Sequence, residues 1–346
     1  MRTERVALLL NVLAFVLCGC SGDADKPSGK QAPFPVVTSE TASGSTEKTS
    51  KLDEVELQLN WLPEAEHGGF FAAEVHGLNS ERRLKVKFIP GGPGVKVIEN
   101  VASGKVMFGV ANADQVLLGN AQEADVVALM APIQQSPRSI MVHKKSGITK
   151  FDDLKDMTLA INPNQTFLGF LKKRLPLTNV RIVKYPNSLA PFLTDERTGQ
   201  QAYVFSEPFV AQQQGVETNN LMVADLGFNP YTSVLITRAE VVASQPELVQ
   251  RMVEASVLGW KKYLAEPAAT NEHIHGLNKE MGLEILEFGV NALRPLCESN
   301  LSAPGKLGEM TLDRWKTLAD QLVDGELLKP DAVDPTKVFE TRFLPK

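Results

Sequence analysis

In Glu54-Val55-Glu56-Leu57-Gln58-Leu59-Asn60-Trp61-Leu62-Pro63, the apolar Val55, Leu57 and Leu59 alternate with Glu54, Glu56 and Gln58. A period of two puts apolar side chains on one face and polar ones on the other, which is the pattern of a half-buried β-strand. The strand runs directly into Asn60 and Trp61. Working outward, Glu64 to Val75 suits a helix, and Leu84, Val86 and Phe88 alternate again in a second strand that stops at Pro90. Gly91-Gly92-Pro93-Gly94 is a turn. Helices are expected at Val95–Ala102 and Ala113–Ala121, and strands at Val106–Val110 and Asp125–Ala131. Further strands are expected at Ser139–His143, Met157–Ile161, Val180–Tyr185, Gln201–Phe205 and Val234–Thr237, with helices between them, Thr166–Arg174 the clearest. Past Ala239 the character is helical. Leu248, Met252, Val253, Val257 and Trp260 share one helix face, and later helices cover Leu283–Leu293 and Thr311–Leu322. Strands alternating with helices indicate the α/β class and a parallel sheet. In such sheets ligands sit beyond the carboxyl ends of strands. That singles out Asn60-Trp61, Asn112-Ala113-Asp114 and the stretch from Tyr203 to Glu207.

Composition bounds the function. The chain has 346 residues, 43% hydrophobic and 22% charged, which excludes a polytopic membrane protein, a disordered chain and a collagen-like fibre. At about 150 residues per domain, two domains are expected. A net charge of -5 leaves no broad electrostatic footprint for nucleic acid. Three cysteines are too few for a disulfide scaffold, and no metal or catalytic cysteine site is visible. Cys297 reads as a small packed apolar residue.

The N-terminus differs from the rest. Arg2 and Arg5 precede an apolar run from Val6 to Leu17, broken by Asn11 and too short for a comfortable membrane span. The ending Leu17-Cys18-Gly19-Cys20 resembles a bacterial lipoprotein box, in which Cys20 becomes lipidated after cleavage. On that reading residues 1–19 are a signal peptide; the alternative is an ordinary signal peptide cut nearby. Residues 20–52 are rich in Ser, Thr, Gly, Pro, Lys and Asp and read as a flexible tether. The expectation is an exported lipoprotein anchored to a membrane, on the periplasmic or outer cell-surface side.

The body also resembles a known family. Leu57 to Pro63, then His67-Gly68-Gly69-Phe70-Phe71-Ala72-Ala73, is similar to the opening of solute-binding proteins of ABC importers. The branch is the one that handles thiamine pyrimidine precursors, riboflavin, nitrate and sulfonates such as taurine. Similarity continues through Pro90 to Pro93, Asn112-Ala113-Asp114, Gln134 to Pro137, Asp152 to Lys155, Tyr203 to Pro208, Phe228 to Tyr231, Gly259-Trp260, Gly308 to Thr311 and Arg314-Trp315. Together these cover about residues 54–325. The resemblance implies a two-lobed periplasmic binding protein of type 2 with a cleft between the lobes. Lobe one would be 53–138 plus 238–346, and lobe two 139–237. It implies a monomer without cofactor that binds a small molecule, closes on a hinge and meets an importer permease.

In the pyrimidine-binding members, a Trp at the place of Trp61 stacks on the ring. A Tyr at the place of Tyr203 covers the other face, and a Glu before Pro, here Glu207, accepts hydrogen bonds from the ring edge. From the residues alone, Trp61 also reads as a half-buried core indole, and Glu207 as a helix N-terminal carboxylate followed by proline, a place it can hold while binding. Asn60, His67, Asn112, Asp114 and Ser136 stand at matched places on candidate cleft loops. Asn60 replaces an Asp found in some pyrimidine binders, Asp114 can instead cap the following helix, and His67 can simply be packed. Trp260 and Trp315 lie at helical spacing from other apolar residues and belong to the core. Glu207 and Asp114 with two aromatics suit a flat, neutral or weakly basic heterocycle better than an anion, although Lys96 or Arg138 can bring positive charge. The same-fold alternative is a nitrate, sulfonate or other small-metabolite binder. An enzyme is a second class: eukaryotic pyrimidine synthases share the architecture but carry a cysteine-rich motif and iron-linked chemistry, which Cys18, Cys20 and Cys297 do not supply; a lipid-anchored sensory or scaffold protein that has lost transport is a third.

Overall fold

A computed structural model describes residues 51–298 and 306–345. The expected signal peptide, the lipidation residue Cys20 and nearly all of the tether lie outside the described residues.

Among the described residues, ten strands form two five-stranded sheets. The first has the order β2-β1-β3-β10-β4, from β1 (Asp53–Gln58), β2 (Leu84–Ile89), β3 (Phe108–Ala111), β4 (Val126–Met130) and β10 (Val234–Arg238). The second has the order β7-β6-β8-β5-β9, from β5 (Arg138–His143), β6 (Thr158–Ala160), β7 (Arg181–Val183), β8 (Thr198–Tyr203) and β9 (Thr218–Met222). β1 pairs in parallel with β2 and β3, and β6 with β7 and β8. The all-parallel expectation fails at β10, which runs against β3 and β4, and at β5, which runs against β8 and β9. The reason is connectivity. The chain leaves the carboxyl end of β4 and enters the second sheet at once as β5; it leaves β9 and returns as β10. A strand that enters a sheet from its carboxyl edge must run opposite to its neighbours.

The alternation in β1 does what its period implies. Val55 and Leu57 turn to a core shared with Phe70, Phe71, Trp260 and Leu286. A second core covers the other face of the first sheet with Val101, Val116 and Ile236, and continues through Trp315 to Leu159, Phe170 and Phe228 of the second sheet's layer. Trp260 and Trp315 are fully buried, as their spacing predicts. Cys297 is buried too, and burial pushes its thiol up, away from reactivity.

Helix Gly68–Val75 lies unusually close to helix Pro246–Ala265. A Cβ on Gly69 would fall inside the Trp260 ring, and one on Gly259 would meet the Gly69 carbonyl. Two crossings join the sheets, between β4 and β5 and between β9 and β10. They touch through an antiparallel bridge from Ile133 to Thr232. Arg314, in helix Leu312–Asp324, ties both: it donates to the Gln134 carbonyl at 2.6 Å and the Asn229 carbonyl at 3.1 Å. Its guanidinium lies 3.7 Å over the Tyr231 ring.

Candidate functional site

The carboxyl ends of the parallel strands face a cleft of about 910 Å³. β1 leads into Asn60 and Trp61, and the segment after them, with the short 3-10 helix Ala65–His67, adds Glu64 and Glu66. β3 runs into Asn112 and Asp114, at the start of helix Ala113–Asn120. From the second sheet come Arg138 at the start of β5, Asn162 and Thr166 after β6, Tyr185 after β7, Tyr203 at the end of β8 and Glu207 beyond it. Six of the eight expected contact residues therefore line one cavity. His67 and Ser136 do not: both are fully buried and set back from it. Ser136 lies on the first crossing, where its N–H donates to Asn229 Oδ1 at 2.7 Å.

Trp61 and Tyr203 are both half-buried, each with surface toward the cavity. Glu207 opens helix Glu207–Gln213, and its Oε2 accepts the Tyr203 N–H at 2.9 Å. Burial pushes its carboxyl up to about 7, against that hydrogen bond.

Asp114 does not cap its helix; Asn112 occupies the N-cap position, its own N–H donating to Gln115 Oε1 at 3.0 Å. Asp114 instead takes Arg138 in two bonds, Nη1 to Oδ2 at 2.7 Å and Nη2 to Oδ1 at 3.2 Å, and also accepts from the Thr166 hydroxyl. Burial alone would raise the Asp114 carboxyl, but Arg138 and Thr166 hold it below the ordinary carboxylate range. Two-point pairing is the strong geometry for a guanidinium and a carboxylate. It leaves Arg138 with a buried Nε that has no partner among the described residues.

Glu64 and Glu66 were not anticipated. Both are buried, at 7% and 4% exposure, and both line the cavity. Glu66 accepts from Asn60 Nδ2 at 3.1 Å and from the Ser233 hydroxyl at 3.3 Å. Burial nonetheless pushes it up to about 7. The Glu64 carboxylate has no hydrogen-bond partner among the described residues, and burial, with Glu66 and Glu207 beside it, raises it well above the usual range. His67 serves this group from behind. Its Nε2–H donates to Asn60 Oδ1 at 2.7 Å, which turns the Asn60 amide toward Glu66. Burial pulls the imidazole down to about 3, so it stays neutral and supplies no countercharge. Their spacing, two glutamates two apart just before a histidine, is visible in the sequence, but nothing local says that they are buried.

The arrangement offers aromatic faces, several carboxylates and one guanidinium already engaged. Among the described residues no three His, Cys, Asp or Glu side chains converge as metal ligands do.

Comparison with known proteins follows the same lines. The sequence matches the family described as "NMT1/THI5 like" over residues 64–270. The riboflavin-binding protein RibY of Chloroflexus aurantiacus is 23% identical over 331 residues, 91% of this chain and 93% of that protein. The 4-amino-5-hydroxymethyl-2-methylpyrimidine phosphate synthase of Aspergillus parasiticus is 23% identical over 259 residues, 67% of this chain and 73% of that protein. Among solved structures, the periplasmic aliphatic sulphonate binding protein SsuA of Escherichia coli superposes with a TM-score of 0.65 at 12% identity, over 83% of this chain and 92% of that one. The fold is thus the two-lobed α/β fold of periplasmic binding proteins, with the cleft between its sheets.

Proposed function

This chain belongs to the NMT1/THI5-like family, and from that premise we propose that it is the substrate-binding component of an ABC importer, capturing a small nitrogen heterocycle such as a thiamine pyrimidine precursor. Trp61 and Tyr203 hold the ring and Glu207 accepts from its edge. The lobes, 53–138 with 238–346 and 139–237, close over the ligand, and the closed form is what a permease recognises. Cys20 carries the lipid that keeps the exported protein at a membrane; a Cys20→Ala variant that still partitions with membranes removes that part of the reading.

The observation that supports the heterocycle is the pairing of Asp114 with Arg138. Among the described residues the one guanidinium lining the cleft, that of Arg138, is neutralised from within, while Glu64, Glu66 and Glu207 face the same space. A nitrate or sulfonate needs cationic or N–H donors, and here it would meet carboxylates. The related synthase raises the enzyme alternative. Cys297, the one cysteine among the described residues, is buried and cannot form a cysteine-rich centre, so we read the chain as a binder. A second reading, a flavin, draws support from the likeness to RibY along nearly the whole of both chains, and from a cleft of about 910 Å³.

Titration calorimetry separates these readings. The wild-type protein and Glu207→Gln are titrated with 4-amino-5-hydroxymethyl-2-methylpyrimidine, riboflavin, nitrate and an alkanesulfonate. A hydrogen bond to a charged group contributes about 1.5–3 kcal/mol, so Glu207→Gln should weaken the aminopyrimidine roughly tenfold or more. Binding of the anions without the pyrimidine would establish the opposite specificity, and tight riboflavin binding alone would assign the flavin.

A further inference from the structure

We propose that the cleft recognises its ligand as a cation: Glu64, Glu66 and Glu207 form a subsite for a positively charged nitrogen group carried by the ligand. The inference deepens the reading above and rests on it for the ring, but not for the charge.

Few charged or titratable groups act on these carboxylates. Glu66 meets Asn60, Ser233, His67, Arg138, Glu64 and Glu207. Glu207 accepts the Tyr203 N–H and lies within electrostatic range of Tyr185. Glu64 lies within electrostatic range of Glu66, Glu207 and Tyr263. Arg138 is the single cation in that set, and Asp114 already holds it in two bonds. Lys96 also borders the cleft, but it stands exposed on the loop after Gly94. Three carboxylates therefore share a wall without a countercharge of their own.

Such a cluster does not make a site without a further sign of a ligand. Glu64 supplies it. More than nine-tenths buried, it lines the cavity, and its carboxylate has no partner among the described residues. What access this carboxylate has is to the cleft, so a donor arriving there is what pairs with it. The aromatic walls point the same way, because ring faces attract cations. Since the carboxylates do not converge as metal ligands do, they surround a space suited to an organic ammonium, amidinium or protonated ring. With Glu66 and Glu207 raised to about 7 by burial, the empty cleft holds protons near neutrality. A cation favours the ionised carboxylates, so its binding expels protons and strengthens as pH rises from about 6 to 8.

The test compares isosteres that differ in charge, using the full chain. 4-amino-5-aminomethyl-2-methylpyrimidine carries an ammonium group, and its 5-hydroxymethyl counterpart does not; benzamidine and benzamide repeat the difference without the pyrimidine. The charged member of a pair should bind at least tenfold more tightly at pH 8, and its advantage should shrink at pH 6. Glu64→Gln should cut that advantage to less than threefold and should raise the melting temperature of the empty protein, because it removes a carboxyl whose ionisation burial, and then Glu66 and Glu207, oppose in the folded state. Equal binding of charged and neutral members, or a lower melting temperature in Glu64→Gln, overturns the cation subsite. If the amidine pair shows the preference and neither pyrimidine binds, the subsite stands and the pyrimidine reading falls. If no probe binds, the melting temperature of Glu64→Gln decides.

Discussion

Asp114 is the residue whose role departs most from its local setting. In the sequence it occupies a helix start, where a carboxylate is favoured in any case. In the structure it is 1% exposed and spends itself on Arg138 and Thr166. Removing one partner of a buried pair leaves an uncompensated charge, so Asp114→Asn should lower stability by about 3–5 kcal/mol, measured by urea denaturation. Its pKa is depressed in the folded state, so the stabilisation is present above the unfolded value of about 3.8 and is lost as pH falls through the lowered folded value. The variant should therefore lose the acid-side part of the wild-type pH dependence. Freeing the guanidinium should also give the cleft measurable affinity for an alkanesulfonate. Asn60, Trp61, Asn112, Asp114, Tyr203 and Glu207 could be located from strand ends alone. Glu64 and Glu66 could not be, because what buries them comes from far away in the chain: the hydroxyl bonded to Glu66 belongs to Ser233, 167 residues on.

Elements were legible where one face is apolar and the period is clean. β1, β2 and the helix Pro246–Ala265 follow directly from alternation or from spacing three and four apart. β9 was not foreseen, since Thr218-Asn219-Asn220 has no alternation; it becomes a strand because the edge of β5 offers it five paired positions. Helix Ala268–Leu277 was missed for a similar reason, burying Thr270 and Asn271 beside Ile274. The close crossing of helices Gly68–Val75 and Pro246–Ala265 makes its own prediction. Gly259→Ala must push a methyl into the Gly69 carbonyl and Ala73. Overpacking of this kind costs about 1–3 kcal/mol or more, and calorimetric melting should show the loss. Gly276→Ala, in a helix with open space around the new methyl, is the matched control and should stabilise by about 0.4–1 kcal/mol.

For the whole molecule, the two crossings are the natural place for motion, and Arg314 holds them side by side through the Gln134 and Asn229 carbonyls. The proposed lobe closure predicts that a saturating, tightly bound ligand lowers the radius of gyration measured by small-angle scattering. An unchanged radius with a demonstrably bound ligand would count against a hinge-closing binder. Closure requires a ligand that favours the closed state over the open one, and residues from both sheets supply such differential contacts when they meet across the cleft. The α/β class, most strands, the buried tryptophans and the strand-end loops were written in local pattern, because period and turn residues act over a few positions. Strand direction at β5 and β10, the neutralisation of Arg138 and the grouping of three carboxylates on one wall depend on segments 24 to 167 residues apart. A pattern that reports only which face of an element is apolar carries no information about which distant polar side chain will complete it.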